Sequence, residues 1–230
     1  MNVMIIDTET ANSIEQPLPY DIGYAIIDTE KDKILLEKSF VVAEIFLDKE
    51  LMTSAYYAEK IPQYWDEIAS GQRTLKGIYN IRKEVQKDVK EYNIKKVGAY
   101  NMGFDKRATV NDIRFISGSF VRWFFPFGTE FFCIWNMACS SILNTKEYID
   151  FAVKNNYISP KGNINTNAEK AYAFIKNDTE FKEEHTGLED VKIEIEIYRA
   201  VLRSGMDFDE SIKPWCWRSV QNLRKELNEA

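Results

Sequence analysis

Asp7 and Glu9 stand two residues apart at the end of a short apolar run, NVMIIDTE. In an extended strand, side chains two apart point the same way, so both carboxylates emerge on one face at the strand's C-terminal end. Two like charges so close repel unless a positive group lies between them. A divalent cation is the economical partner, and oxygen donors without a histidine cluster suit magnesium or manganese. The plainer alternative is that Asp7 begins a turn. Asp105 follows a second apolar stretch, VGAY, and opens a helical segment. There it either completes a cation site or complements the helix dipole. The third element pairs His185, the one histidine of the chain, with Asp190. Five residues is a poor interval for one helical face. The two can meet if His185 sits on the turn before a helix that starts near Thr186. Asp190 would then lie beside Leu188 and Val191, near an apolar stripe where an unpaired carboxylate is costly.

The elements that must position these groups can be read from periodicity. The first run, continuously apolar, predicts a central strand, and YDIGYAIID, a polar turn TEKDK and ILLEKSFVV predict a hairpin beside it. From about Glu44 to Tyr92 the pattern predicts mostly helix, broken at Ser70-Gly71. The second piece carries Leu75, Ile78, Ile81 and Val85. KKVGAYN predicts a strand, and FDKRATVNDIRFIS a helix bearing Phe104, Ala108, Ile113 and Ile116. The aromatic stretch FVRWFFPFGTEFFCIW, Phe120 to Trp135, is expected to be strand plus loop, serving as core or lid. Lys146 to Asn155 predicts a short helix. Another begins near NTNAEKAYAFIK, where Thr166 and Glu169 have capping-box spacing. Leu188, Val191, Ile195, Tyr198 and Leu202 define the buried stripe of the last long helix. After Gly205, a tail with Trp215 and Trp217 leads to a final helix over 219–227, expected to pack on the domain because exposed tryptophans are costly.

Composition narrows the use of these groups. The 230 residues suggest one large domain with at most a modest appendage, and 45% hydrophobic against 29% charged residues suffices for a sizeable core. Disorder, collagen-like fibres and miniature scaffolds are excluded. The net charge of −6 disfavours a protein that coats duplex nucleic acid through its overall field. Charge is unevenly spread, however. Residues 73–96 carry Lys or Arg at 73, 76, 82, 83, 87, 90, 95 and 96 against acids at 84, 88 and 91 only. That excess is either the solvated face of a helix or a meeting place for phosphates. Acids crowd the chain over residues 176–194. Cys133, Cys139 and Cys216 show no paired spacing, so a reducing compartment is expected, and a single histidine excludes a multi-histidine zinc site. No apolar run of spanning length and no basic leader are visible, so a cytoplasmic location without membrane attachment is expected.

Together, the ordered motifs IIDTET, YNMGFD and HTGLEDVKIE resemble those of the DnaQ-like 3'-5' exonucleases, the histidine-bearing (DEDDh) branch of the DEDD superfamily. LPYDIGYAIID is also similar to the family's second strand. The resemblance covers roughly residues 1–204, leaving 205–230 as a helical tail. It implies an α/β, ribonuclease-H-like fold, a mixed sheet of about five strands flanked by helices. Asp7, Glu9, Asp105 and Asp190 would hold two magnesium or manganese ions, with His185 as general base. Thr8 and Thr10 would lie near the terminal nucleotide, and Asn101 and Phe104 would support the second motif. Tyr100 and the Met102-Gly103 pair depart from common family residues and bear on the subfamily rather than on the metal ligands.

The resulting expectation is a metal-dependent 3'-5' exonuclease acting on single-stranded ends, DNA before RNA on family frequency, releasing nucleoside monophosphates. The alternatives are an exoribonuclease or oligoribonuclease-type trimming enzyme, and a non-catalytic adaptor of the same fold. The basic stretch and the aromatics 120–135 are expected to meet phosphates and bases, or else to serve packing. The tail is the expected place for a protein partner or dimerisation.

Overall fold

The computed structural model describes residues 1–118 and 123–229. Among the described residues six strands occur, in the order β4-β3-β2-β1-β5-β6. They are β1 Asn2–Ala11, β2 Leu18–Asp28, β3 Lys33–Val42, β4 Thr74–Lys76, β5 Lys96–Ala99 and β6 Glu130–Cys133. The helices are α1 Ala43–Phe46, α2 Lys49–Met52, α3 Ile61–Ser70, α4 Ile78–Glu91, α5 Met102–Ser117, α6 Ile134–Cys139, α7 Lys146–Lys154, α8 Ala168–Lys176, α9 Gly187–Ser204 and α10 Arg218–Glu229. The sheet is mixed: β1–β2 and β2–β3 pair antiparallel, whereas β1–β5 and β3–β4 pair parallel. This is a mixed-sheet α/β fold of the ribonuclease-H-like kind.

The chain divides into two compact units. The first holds Met1–Gly98, Phe104–Glu130 and Glu184–Val191, and the second holds Ala99–Gly103, Phe131–Glu183 and Lys192–Ala230. In the first, Val3 to Ile6 of β1 are fully buried, as a strand covered on both faces requires. The predicted hairpin forms as β2 and β3, with Tyr24 and Ile26 buried. Helix α3 ends at Gly71 in the left-handed conformation, where expected. Residues 74–76, read as helical, instead form β4 along β3, pairing Phe40 with Thr74 and Val42 with Lys76. Leu75 fits the helical interval by coincidence, since three residues show no periodicity of their own. Helix α4 then buries Ile78, Ile81 and Val85.

In the second unit, Thr145 caps α7 by accepting from the Tyr148 N–H. The expected capping box at Thr166 does not form. Asn167 is the cap of α8, accepting from the Lys170 N–H, because the Thr166 hydroxyl already accepts from the Trp135 indole N–H at 2.9 Å. The stripe of α9 keeps Val191, Ile195 and Tyr198 buried, but Leu202 is 40% exposed and Val201 is buried instead. The tail is tied down by Cys133 N–H donating to Glu210 O and by Gln221 bonding both ways with Ile164. Contrary to expectation, Trp215 is 58% exposed, and the Arg218 guanidinium lies 4.5 Å above its ring. That stacking supplies the cover that burial was expected to give. In the aromatic stretch Phe124, Phe125 and Phe132 are buried, whereas Trp123 and Phe127 are exposed; Phe120 lies outside the described residues.

Candidate active site

Strand β1 delivers the first two carboxylates. Its register with β5 runs from Val3↔Lys96 to Ile5↔Gly98 and stops there. Asp7 and Glu9 therefore project beyond the end of β5, at the carboxyl end of two parallel strands, where open α/β sheets place ligands. A register shift between Glu9 and Thr10 marks an irregularity there. Asp105 enters from the first turn of α5 and is almost fully buried. The Thr8 hydroxyl donates to its Oδ1 at 2.9 Å. Burial pushes the Asp105 carboxyl up to about 7, while the hydrogen bonds from Thr8 and the charge of Arg107 pull it back.

His185 lies on the turn before α9, as its interval to Asp190 requires, with a left-handed φ of 52°. The Asp190 N–H donates to Thr186 O at 3.0 Å, which starts the helix. Tyr57 stacks on the imidazole with centroids 4.2 Å apart and planes 10° apart. Lys60, three residues on, donates to Glu184 O. The donor atoms of Glu9, His185 and Asp190 all lie within 4.8 Å of one another. Strand, turn and helix thus converge on one spot.

A buried ionic node holds that convergence in place. Asp21 of β2, opposite Glu9 in register, is fully buried. Its Oδ2 accepts from Gly187 N at 2.8 Å, Tyr64 Oη at 2.7 Å and Arg73 Nη1 at 2.8 Å. Arg73 also donates to Ser39 Oγ at 2.7 Å, to Glu189 Oε2 at 3.0 Å and to Glu67. Glu189 accepts in turn from the Thr186 hydroxyl. Burial pushes the Asp21 carboxyl above the usual carboxylate range, against the pull of Arg73. The contact is tight because glycine faces glycine. A Cβ on Gly23 would fall 2.2 Å from Leu188 N, and one on Gly187 would fall 2.8 Å from Gly23 N.

Of the other residues proposed from sequence, Thr10 is half-buried beside Glu9. Phe104 is half-buried, with the Arg107 guanidinium 5.5 Å from its ring centroid. Asn101 is exposed and belongs to the second unit. Sequence reasoning missed Tyr57, Asp21 and Arg73. Asp21 did leave a trace, an acid inside an otherwise apolar strand, whereas nothing marked Arg73 as a core residue among its basic neighbours.

The donor chemistry fits a divalent cation: clustered carboxylates with one imidazole. No family model and no curated protein matches the sequence. Among solved structures, the chain is similar to the nuclease domain of 3'hExo, a DEDDh family member, solved bound to rAMP. Identity is 14%, the TM-score 0.58, and the match covers 91% of this chain and 96% of that one. A full-length 3'-exonuclease matches at 13% identity and a TM-score of 0.55, over 91% and 84% of the two chains. A 3'-exonuclease described in 3'-end recognition of a histone mRNA stem-loop matches at 13% and 0.53, with the same coverage. The chain thus shares the ribonuclease-H-like fold of these solved structures.

Proposed function

We propose that the protein is a metal-dependent 3'-5' exonuclease that hydrolyses phosphodiester bonds at single-stranded ends and releases nucleoside monophosphates. The observation that carries this reading is the meeting of Glu9, His185 and Asp190 within 4.8 Å, beside Asp7 of the same strand. Asp7, Glu9, Asp105 and Asp190 would hold two magnesium or manganese ions. When bound, such ions stabilise charge on the attacking and leaving oxygens of the phosphate.

The chain's own residues divide the remaining work. His185 takes the proton of the attacking water at its imidazole, the side-chain type suited to general-base work near neutral pH. Tyr57 fixes the plane of that ring, and the Asp21–Arg73 node fixes the backbone that carries it. Thr8 orients the Asp105 carboxyl. Thr8 and Thr10 are assigned to the terminal nucleotide, and Phe104 to the support of the second motif. DNA ends are the first substrate to test; RNA ends are the second, because one similar structure is bound to rAMP and another concerns recognition of a histone mRNA stem-loop. Three buried, free cysteines accord with a reducing, cytoplasmic setting.

The deciding experiment uses 3'-labelled and 5'-labelled single-stranded DNA and RNA oligomers, with and without manganese, on the wild type and Asp7→Ala. Stepwise loss of the 3' label as mononucleotide, abolished in the folded Asp7→Ala protein, is the expected result. Undiminished release by Asp7→Ala would reject the metal-site assignment, and release from the 5' end would reject the polarity.

A further inference from the structure

Two segments singled out by composition, the lysines of 83–95 and the aromatic stretch, line one groove of 710 Å³ in the first unit. Lys83, Lys87 and Lys90 fall at intervals of four and three on α4, so they share one face, and Lys95 follows the helix. The opposite wall is the loop Pro126–Thr129, fastened to α4 where Gln86 Nε2 donates to Phe124 O at 3.1 Å. Among the described residues no acid lines the groove. Glu84 and Asp88 turn to another face of α4, where Lys38 pairs with both and Lys76 with Glu84. Among the described residues, Lys83, Lys87, Lys90 and Lys95 make no ion pair. At the rim Phe127 is 89% exposed, and Trp123, also exposed, meets it edge-on at 5.7 Å.

The groove does not belong to the carboxylate site. Lys96 pairs with Val3 on parallel β1, four residues before Asp7, which places Lys95 at the other end of these strands. At about 3.3 Å per residue the two levels differ by roughly 13 Å along the strand.

We propose that this groove is a second nucleic-acid site that grips the body of a single strand while its end is processed elsewhere. Lysines without acidic partners meet phosphates, and exposed rings offer faces on which bases of any sequence stack. An acidic polypeptide would use the lysines but leave the rings without a role. The inference rests on reading the protein as one that handles nucleic acid.

The test measures fluorescence anisotropy of labelled single-stranded oligonucleotides of about 4 and about 16 nucleotides on the full-length Asp7→Ala protein, across a salt series. The longer strand is expected to bind more tightly. Lys87→Gln/Lys90→Gln should lower the salt slope for that strand by about 1.4, at about 0.7 per lost lysine. Phe127→Ala should weaken its binding by at least about fivefold, from the lower bound of one base–ring stack. Lys87→Arg/Lys90→Arg should restore the slope, and thermal unfolding checks that each variant is folded. Unchanged affinity and slope in the glutamine variant overturns the proposal. So does tighter binding of polyglutamate than of the oligonucleotide, which would assign the groove to an acidic protein. If the wild-type protein releases no nucleotide from these strands, the nuclease reading fails while the groove's affinity is measured independently.

Discussion

Replacing Arg73 with Met tests how the His185 turn is held. The guanidinium side chain is 3% exposed and its partner Asp21 is not exposed at all. Removing one member of a buried ion pair costs about 3–5 kcal/mol, since the other charge is left without compensation. Asp21 keeps its hydrogen bonds from Tyr64 and Gly187, and Glu189, 37% exposed, can turn toward water. The lower end, about 3 kcal/mol, is therefore expected at neutral pH. The sign of the pH dependence follows from the Asp21 carboxyl, already raised above its unfolded value by burial. A raised carboxyl favours the folded state while protonated, and that contribution is lost as pH rises through the folded pKa. Loss of Arg73 raises it further, so the deficit should narrow as pH falls from about 7 to about 5. Urea denaturation of wild type and variant at both pH values measures this directly. Asp21→Asn/Arg73→Met should be more stable than Arg73→Met alone, because it removes the stranded charge. A deficit below about 1 kcal/mol, or one that does not change with pH, would refute the account of a buried ionic clamp.

His185→Ala should slow nucleotide release by roughly 10²–10⁴-fold, the usual scale for a general base, and a near-normal single-turnover rate would remove it from the mechanism. Gly23→Ala should destabilise the fold by more than about 3 kcal/mol, beyond ordinary overpacking, because its Cβ meets backbone 2.2 Å away rather than a yielding side chain; thermal unfolding reads it. Manganese at about a hundredfold over its dissociation constant should stabilise the wild type by about 2.7 kcal/mol. Asp7→Ala should lose most of that gain, and equal gains in both would place the ion elsewhere.

The parts legible in the sequence were those whose signal is local. Alternation placed Asp7 and Glu9 on one face, a continuously apolar run marked the central strand, and the interval from His185 to Asp190 required a turn before a helix. The unread parts depend on partners far along the chain. Strand β4 exists because β3 offers an edge, and three residues cannot announce that by periodicity. Thr166 had the right interval for a cap but was already engaged by Trp135. Arg73 looked like one more solvated cation of a basic stretch, yet it is buried through its pairing with Asp21, 52 positions earlier. Tyr57 had no distinguishing neighbour at all. The lysines that remained in solvent became legible only beside Phe127, on a loop more than thirty residues further on.

The clamp between Asp21 and Gly187 spans 166 residues of sequence. Its consequence is temporal. During synthesis Glu9 emerges long before His185 and Asp190, the residues with which it clusters. Contacts so distant in sequence form late and together, after the cost of loop closure has been met. The first unit is itself assembled from three separate stretches, so no early fragment contains it. A chain cut before residue 185 would therefore keep Asp7 and Glu9 but lack His185, Asp190 and the clamp. The cluster of Glu9, His185 and Asp190 thus cannot assemble until the chain has been made past residue 190.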